Sequence, residues 1–148
     1  MKKEKLQEIN SLLFEFIPLY HQKFAVGFLL DDGIEPKCTK NQLRTLFITR
    51  REGKILPTDL GKCLDMPKGS LTTLVDSLEE SGLVQRLRDS HDRRKTWISL
   101  TAQGQEYVNL KVKALDRHFD KLFQDVNPED VEEFAENLKF MVKIMKKL

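Results

Sequence analysis

The segment LVQRLRDSHDRRKTWISL, residues 83–100, decides the fold because the hydrophobic pattern changes its period there. Its outer parts, 83–88 and 95–100, are short runs that contain β-branched or aromatic residues, as strands do. Between them, 89–94 (DSHDRR) is polar and charged, which is typical of a turn. The segment therefore predicts a β-hairpin with a highly charged tip.

Two short helices are predicted immediately before this hairpin. The first covers 57–64, where Pro57 suits a position in the first helical turn. The second covers 67–81, and its apolar residues follow helical spacing: Leu71, Leu74, Val75 and Leu78. Gly82 then supplies the left-handed residue that often ends a helix. Two short helices followed by a hairpin predict a winged helix-turn-helix.

Upstream of this module, residues 4–26 show the apolar spacing of an amphipathic helix. Pro18 lies within it, so we expect a kink or a break there. Residues 27–37 are interpreted as a connection. The next helix is predicted to begin at Thr39, which forms a capping-box pair with Gln42.

Downstream of the hairpin, Thr101 is expected to cap a long helix that reaches about Phe123. A last helix is predicted to begin at Asn127. Its apolar residues Phe140 and Ile144 lie outside its main stripe, which favours burial on two sides. Packing against a symmetry-related copy would explain this pattern.

The predicted fold is therefore mainly α with a small β-hairpin wing, in a single domain. A winged helix-turn-helix lobe occupies approximately residues 36–101. Helices over 1–35 and 102–148 are expected to dimerise.

Composition places the chain among globular proteins, with 148 residues, 40% hydrophobic and 32% charged. The segment 40–95 holds 12 Lys and Arg against 8 Asp and Glu, a balance of +4, whereas the rest holds 13 against 15, a balance of −2. A basic middle suggests a surface that faces a polyanion. We find neither an apolar run long enough to span a bilayer nor a secretory signal pattern, so the expected location is the cytoplasm, with no membrane partner.

The wing residues resemble a known signature. Asp92, Arg94, Leu100 and Thr101 match the pattern Asp-x-Arg-x-x-x-Val-x-Leu-Thr of the MarR (multiple antibiotic resistance regulator) family, with Ile98 in place of its Val. Further matches lie upstream and downstream of the wing: Leu60, Leu64, Ser70, Thr72, Leu74, Val75, Leu78, Gly82, Leu83, Val84 and Gly104. The resemblance covers roughly 35–105 well and the two ends by pattern only. It implies a homodimeric transcription regulator, most often a repressor, on a pseudo-palindromic operator, released in many members by a small ligand or by oxidation.

Helix-turn-helix geometry places the second helix of the pair in the major groove of double-stranded DNA. The candidate contacts on that helix are Lys68, Gly69, Ser70, Thr72 and Thr73. The candidate contacts on the wing are Arg86, Arg88, His91, Arg93, Arg94 and Lys95. The resemblance implies that Arg94 enters the minor groove and that Asp92 orients a wing arginine. Either Arg86 or Arg88 could instead pair with Asp89 or Asp92.

The chain departs from the family at Thr73, where many members carry an arginine suited to guanine. Asp76 on the same helix would also repel a nearby phosphate. We therefore expect modest base reading by this helix and more reliance on the wing and on DNA shape.

Evidence for a regulatory ligand is weaker. The family's effector pocket lies between the terminal helices and the lobe, and Tyr20, His21, Phe24 and Arg44 are candidates to line it. Cys63 is interpreted as a small core residue, and Cys38 as part of a hydrophobic staple, with a lowered pKa as the alternative. No spacing typical of metal ligands, catalytic pairs or phosphate-binding loops is found, so neither a cofactor nor an enzymatic activity is predicted. The alternative function is a winged helix that binds protein and not DNA.

Overall fold

The computed structural model describes residues 1–29 and 31–148; Leu30, in the predicted connection, lies outside the described residues. Its α-helices are α1 Lys2–Lys23, α2 Lys40–Glu52, α3 Pro57–Leu64, α4 Lys68–Glu80, α5 Ala102–Phe123 and α6 Pro128–Met145, and a 3-10 helix covers Ala25–Leu29. Its strands are β1 Lys54–Ile55, β2 Val84–Arg88 and β3 Thr96–Leu100. The mainly α class with a small β wing is confirmed.

The sheet has three antiparallel strands in the order β1-β3-β2, one strand more than predicted. Lys54 pairs with Ser99 and Ile55 with Ile98, so β1 extends the hairpin on its far side. A strand of two residues carries no alternation that a sequence pattern could reveal. Its existence depends on pairing with β3.

The core lies within the winged lobe and the first half of α5. Its fully buried side chains come from α2, α3, α4, the sheet and α5, and include Leu46, Leu60, Leu78, Leu83, Ile98 and Val108. Burying an aliphatic side chain of this size contributes about 1.5–3 kcal/mol. The helix-turn-helix and the wing are therefore parts of one packed unit.

The first residues of α5 contact the segment that joins α4 to β2. The Thr101 hydroxyl accepts a hydrogen bond from the N–H of Gly104 at 2.9 Å and donates one to the carbonyl of Gly82. A Cβ on Gly104 would lie only 1.9 Å from the carbonyl oxygen of Leu83, so no larger residue fits. This junction fixes the position of the wing relative to α4.

The predicted capping box of α2 is confirmed. The N–H of Thr39 donates to the Gln42 side chain at 2.7 Å, and the N–H of Gln42 donates to the Thr39 hydroxyl at 3.3 Å. The Gln42 amide also donates to Ser77 on α4 at 2.9 Å. The cap thus joins α2 to the helix that carries the candidate DNA contacts.

Helix α1 is continuous through Pro18, so a break at this position is wrong. Proline removes a single backbone N–H, and the turns on both sides keep their own hydrogen bonds. Among the described residues, neither α1 nor α6 buries a side chain. Large apolar side chains are exposed on α1 (Leu6, Ile9, Leu12, Leu13, Phe14, Phe16, Ile17, Leu19 and Tyr20) and on α6 (Phe134, Leu138, Phe140, Val142, Ile144 and Met145).

In the part of the chain that the structure describes, no helix combines the length and apolar character that crossing a bilayer requires.

The expectation for Cys63 is wrong, whereas the staple expectation for Cys38 agrees with its position. Cys63 is exposed, not a core residue, because it lies at the edge of the stripe that Leu60 and Leu64 bury. Cys38 packs partly buried against the core, as a staple residue would. Burial raises the pKa of the Cys38 thiol, which contradicts the alternative of a lowered pKa.

Candidate nucleic-acid interface

The outer face of α4 is open to solvent along the predicted contact residues. Lys68, Gly69, Ser70, Thr72 and Thr73 are all exposed, while Leu71, Val75 and Leu78 point into the core. This confirms the predicted buried stripe of the helix. The outer face can therefore approach a ligand without displacing any core side chain.

The chemistry of this face is mostly that of acceptors and methyl groups. The Thr72 hydroxyl donates to the carbonyl of Lys68 at 2.9 Å, and the Thr73 hydroxyl donates to that of Gly69 at 3.2 Å. Their oxygens can still accept from a base amino group, and their methyls can contact thymine. Lys68 begins the helix, where unpaired backbone N–H groups favour a phosphate.

Two of the three acidic side chains of α4 are held by Arg86 on β2. The guanidinium donates to Asp76 at 2.5 Å and to Glu79 at 2.7 Å, and it is 29% exposed. The backbone N–H of Arg86 also donates to Glu79 at 3.2 Å. Burial alone would lower the pKa of Arg86, but the two carboxylates raise it. Arg86 therefore links β2 to α4, and its partners are Asp76 and Glu79, not Asp89 or Asp92. Its predicted contact with DNA stays a prediction.

The wing turn is organised by Asp89, which the sequence interpretation treated only as a possible arginine partner. One carboxylate oxygen accepts the backbone N–H groups of His91 and Asp92, each at 2.9 Å. The other accepts the indole N–H of Trp97 on β3 at 2.7 Å. These hydrogen bonds, that from Trp97 foremost, hold the pKa of Asp89 far below its usual range.

Asp92 stands beside Arg94, as an orienting role requires. Its carboxylate accepts the backbone N–H of Arg94 at 3.0 Å and lies 3.5 Å from the Arg94 Nε. The Arg94 side chain is otherwise extended into solvent, with 94% of it exposed. The wing therefore presents the Arg94 guanidinium at its tip, and the Arg94 backbone is already fixed.

The remaining cations of the wing lie around Arg94. Arg88, His91, Arg93 and Lys95 are all exposed. The structure thus gathers the predicted wing residues, apart from Arg86, on one solvent-facing turn and on the last residue of β2, the strand that Arg86 links to α4.

The four candidate ligand-pocket residues are not gathered in the same way. Phe24 packs against Phe119 and Phe134, each with its ring centroid 5.8 Å away, in an aromatic cluster between α1, α5 and α6. Tyr20 and His21 neighbour that cluster, whereas Arg44 donates to the carbonyl of Cys63 at 3.3 Å. None of the four lines either of the two cavities described below, so their role stays a prediction.

Two of the cavities in the described structure lie near candidate residues. The first, about 790 Å³, opens between α3 and α4, and its lining includes Pro57, Met66, Lys68, Thr72 and Arg86. The second, about 230 Å³, lies beside the loop that precedes α2 and includes Asp32, Cys38 and Lys111. No three His, Cys, Asp or Glu side chains in the described chain are placed to hold a metal ion.

Comparison with known proteins agrees with this geometry. The model of the MarR family matches residues 37–95. The chain is 31% identical to the multiple antibiotic resistance protein MarR of Salmonella typhimurium over 104 residues, which cover 67% of this chain and 72% of that protein. The chain belongs to the MarR family. A second relative, the HTH-type transcriptional regulator SarZ of Staphylococcus haemolyticus, is 30% identical over 108 residues, 70% of this chain and 69% of that protein.

Solved structures of other proteins share the whole fold. The transcriptional regulator BldR from Sulfolobus solfataricus is 27% identical, with a TM-score of 0.68 over 98% of this chain and 96% of that chain. Apo MarR from E. coli is 24% identical, with a TM-score of 0.72 over 87% and 96%. SarZ and BldR are named transcriptional regulators, and transcription regulation is the function class of this MarR-family chain.

Proposed function

We propose that this MarR-family chain binds double-stranded DNA sequence-specifically, as a homodimer on a pseudo-palindromic operator, and represses transcription from it. The observation that carries the proposal is the pairing of an exposed α4 face with a cationic wing tip, while Arg86 neutralises the acidic residues between them. A surface of this kind suits a polyanion better than an acidic or apolar protein partner.

In this proposal α4 enters the major groove, which alone admits a helix. Ser70, Thr72 and Thr73 meet base edges, and Gly69 lets the backbone come close to the DNA. Lys68 and the first N–H groups of α4 bind a phosphate. Because this face carries no arginine, direct base reading by α4 is limited.

The wing supplies the second half of the contact. Arg94, aimed by Asp92, inserts into the minor groove, where the negative potential is greatest in narrow A·T-rich tracts. Arg88, His91, Arg93 and Lys95 lie around it and contact phosphates. Such contacts strengthen binding to every sequence and make it depend on salt.

The homodimer forms through α1 and α6. A monomer rarely leaves contiguous apolar surface of this extent exposed, and two ends of one chain that both expose such faces favour a symmetric partner. In a dimer of this type the two α4 helices would enter successive major grooves about 34 Å apart.

A small-molecule effector would act at the recognition surface. The cavity between α3 and α4 reaches Lys68 and Thr72, which the proposal assigns to DNA, and Lys62 also lines it. A ligand with an anionic group held beside these lysines would compete with a phosphate. Release of the operator by such a ligand is the form of regulation that we propose.

The test is DNA binding by fluorescence anisotropy at several salt concentrations, with Arg94→Ala and a charge-matched control, Arg117→Ala, on α5. Arg94→Ala should weaken binding by about 1–3 kcal/mol, and the control should not. Transcription in vitro from a promoter that carries the bound sequence should fall as protein is added. Equal affinity of the two variants would remove Arg94 from the site. Absence of any duplex binding would favour a winged helix that binds a protein.

A further inference from the structure

The wing turn is connected to the middle strand of the sheet through one side-chain hydrogen bond. The Trp97 indole N–H donates to the Asp89 carboxylate at 2.7 Å, across the turn that carries Arg93 and Arg94. We propose that Trp97 and Asp89 are positioning residues, which hold the wing tip in its DNA-binding shape before DNA arrives. This inference rests on the proposed function, because it concerns how Arg94 is presented.

The indole is itself held from both neighbouring strands. Trp97 lies on β3, opposite Leu87 on β2 in the strand register. On the other side, the Lys54 ammonium of β1 stands 4.5 Å from the centroid of the ring. A cation at this distance from an indole face is attracted to it. The ring is therefore a fixed point against which the turn can be held.

A series of hydrogen bonds connects the Trp97 indole to the backbone of Arg94 through Asp89 and Asp92. Asp89 accepts from Trp97 with one oxygen and from the N–H groups of His91 and Asp92 with the other. Asp92 then accepts the N–H of Arg94 at 3.0 Å. The backbone closes the turn, because the N–H of Lys95 donates to the carbonyl of Asp92 at 3.0 Å.

Both residues are placed to position the wing and not to support the core. Trp97 and Asp89 are half-buried, and Leu87 beside the indole is 44% exposed. The packing of β3 onto the lobe comes instead from Ile98, which is fully buried. Loss of the indole–carboxylate bond should thus loosen the turn and leave the fold intact. A loosened wing must be ordered when it binds, and this ordering reduces affinity.

The experiment removes the hydrogen bond between Trp97 and Asp89 in two ways, by changing the donor and by changing the acceptor. Trp97→Phe keeps an aromatic ring under Lys54 but has no N–H. Asp89→Asn keeps an oxygen for the two backbone N–H groups but turns an amide N–H toward the indole N–H. The control is Leu87→Ala, which removes apolar contact beside the indole and leaves the hydrogen bond.

Each of the two variants should bind duplex DNA about five- to tenfold more weakly than wild type, and the double variant no more weakly than either single one. Leu87→Ala should bind like wild type. A second readout needs no DNA: trypsin should cleave after Arg93, Arg94 or Lys95 faster in both variants, because a loosened turn fits a protease more readily.

The outcomes separate this inference from the proposed function. If wild type binds DNA and Arg94→Ala weakens it, but both variants bind like wild type, the inference is overturned. Weaker binding without faster cleavage also overturns it, since Trp97 and Asp89 would then contact DNA directly. If wild type binds no duplex, the proposed function fails. In that case the rates of trypsin cleavage in the wing are the only test of the inference. Rates that are the same in the variants and in wild type would overturn it.

Discussion

The guanidinium of Arg86 on β2 binds the carboxylate of Asp76 on α4 at 2.5 Å, and so connects the wing strand to the helix proposed to enter the major groove. The same guanidinium holds Glu79 at 2.7 Å. One arginine therefore neutralises two carboxylates of α4 and links this helix to the wing strand.

Replacing Arg86 by methionine should affect DNA binding more than stability. The ion pairs are partly exposed, so the free energy of unfolding in urea should fall by only about 1 kcal/mol. Affinity for duplex DNA should fall severalfold, because Asp76 and Glu79 then repel phosphates. The control is Arg117→Met on α5, an exposed residue outside the proposed DNA contact, which should leave both the stability and the affinity unchanged.

A triple variant tests the cause of this effect. Adding Asp76→Asn and Glu79→Gln to Arg86→Met should restore much of the affinity if repulsion is responsible. An affinity as low as that of Arg86→Met alone would instead mean that Arg86 binds DNA directly, as first expected from the sequence.

Gly69→Ala should lower the affinity for duplex DNA without lowering the stability of the fold. A Cβ at this position would meet no atom within 4 Å, and the backbone is helical, so the protein should be as stable as wild type or up to about 1 kcal/mol more stable. Duplex affinity should nevertheless fall, because the methyl would occupy the space between α4 and DNA. Thermal unfolding and anisotropy titrations measure the two effects. Unchanged affinity would place the first turn of α4 away from the DNA.

The ion pair between Lys111 on α5 and Asp32 should stabilise the fold in a pH-dependent way. Both side chains are largely buried, 11% and 13% exposed, and 2.8 Å apart, so Lys111→Met should cost about 3 kcal/mol. Burial would raise the pKa of Asp32, but the hydrogen bond from Lys111 and that from the N–H of Ile34 lower it. The stabilisation is then complete above the unfolded pKa of about 3.9 and is lost as pH falls through the lower folded value.

Urea unfolding of wild type and Lys111→Met at a series of pH values measures this. The difference in unfolding free energy should be largest near neutral pH and should narrow below about pH 4. Asp32→Asn added to Lys111→Met should recover part of the loss, because it removes the unpaired charge. A difference that does not change with pH would contradict the role given to Asp32.

Charges on the apolar face of α1 should separate the protomers. Ile9→Glu with Leu13→Glu places two carboxylates on this exposed face, whereas Ser11→Glu places one on its opposite side. Sedimentation should find a monomer for the double variant and a dimer for the control, with circular dichroism of a folded lobe in both. A double variant that still sediments as a dimer would exclude α1 from the interface.

Much of the fold could be predicted because local patterns agree with tertiary packing. The capping box at Thr39 and Gln42, the cap at Thr101 and the stop at Gly82 each depend on neighbours close in sequence, and each is found in the structure. The two residues of β1 could not be predicted, since their only support is the distant strand β3.

The residue types of the candidate site could be predicted from the sequence, but the residues with which they pair could not. The cations at 86–95 follow from the wing pattern, yet which of them is free depends on contacts across the fold. Arg86 reaches residues on α4, and Asp89 reaches Trp97 on the next strand. The two residues of each pair are not separated by a distance in sequence that a helix or strand pattern would predict. A sequence pattern therefore does not reveal such pairs.

The most direct test of the central claim is selection of bound sequences from random duplex DNA by the purified protein at moderate salt. We expect enrichment of an inverted repeat whose half-sites lie about one helical turn apart, with A·T-rich positions where the two wings insert. No enrichment over a protein-free selection would contradict the proposed sequence-specific regulator.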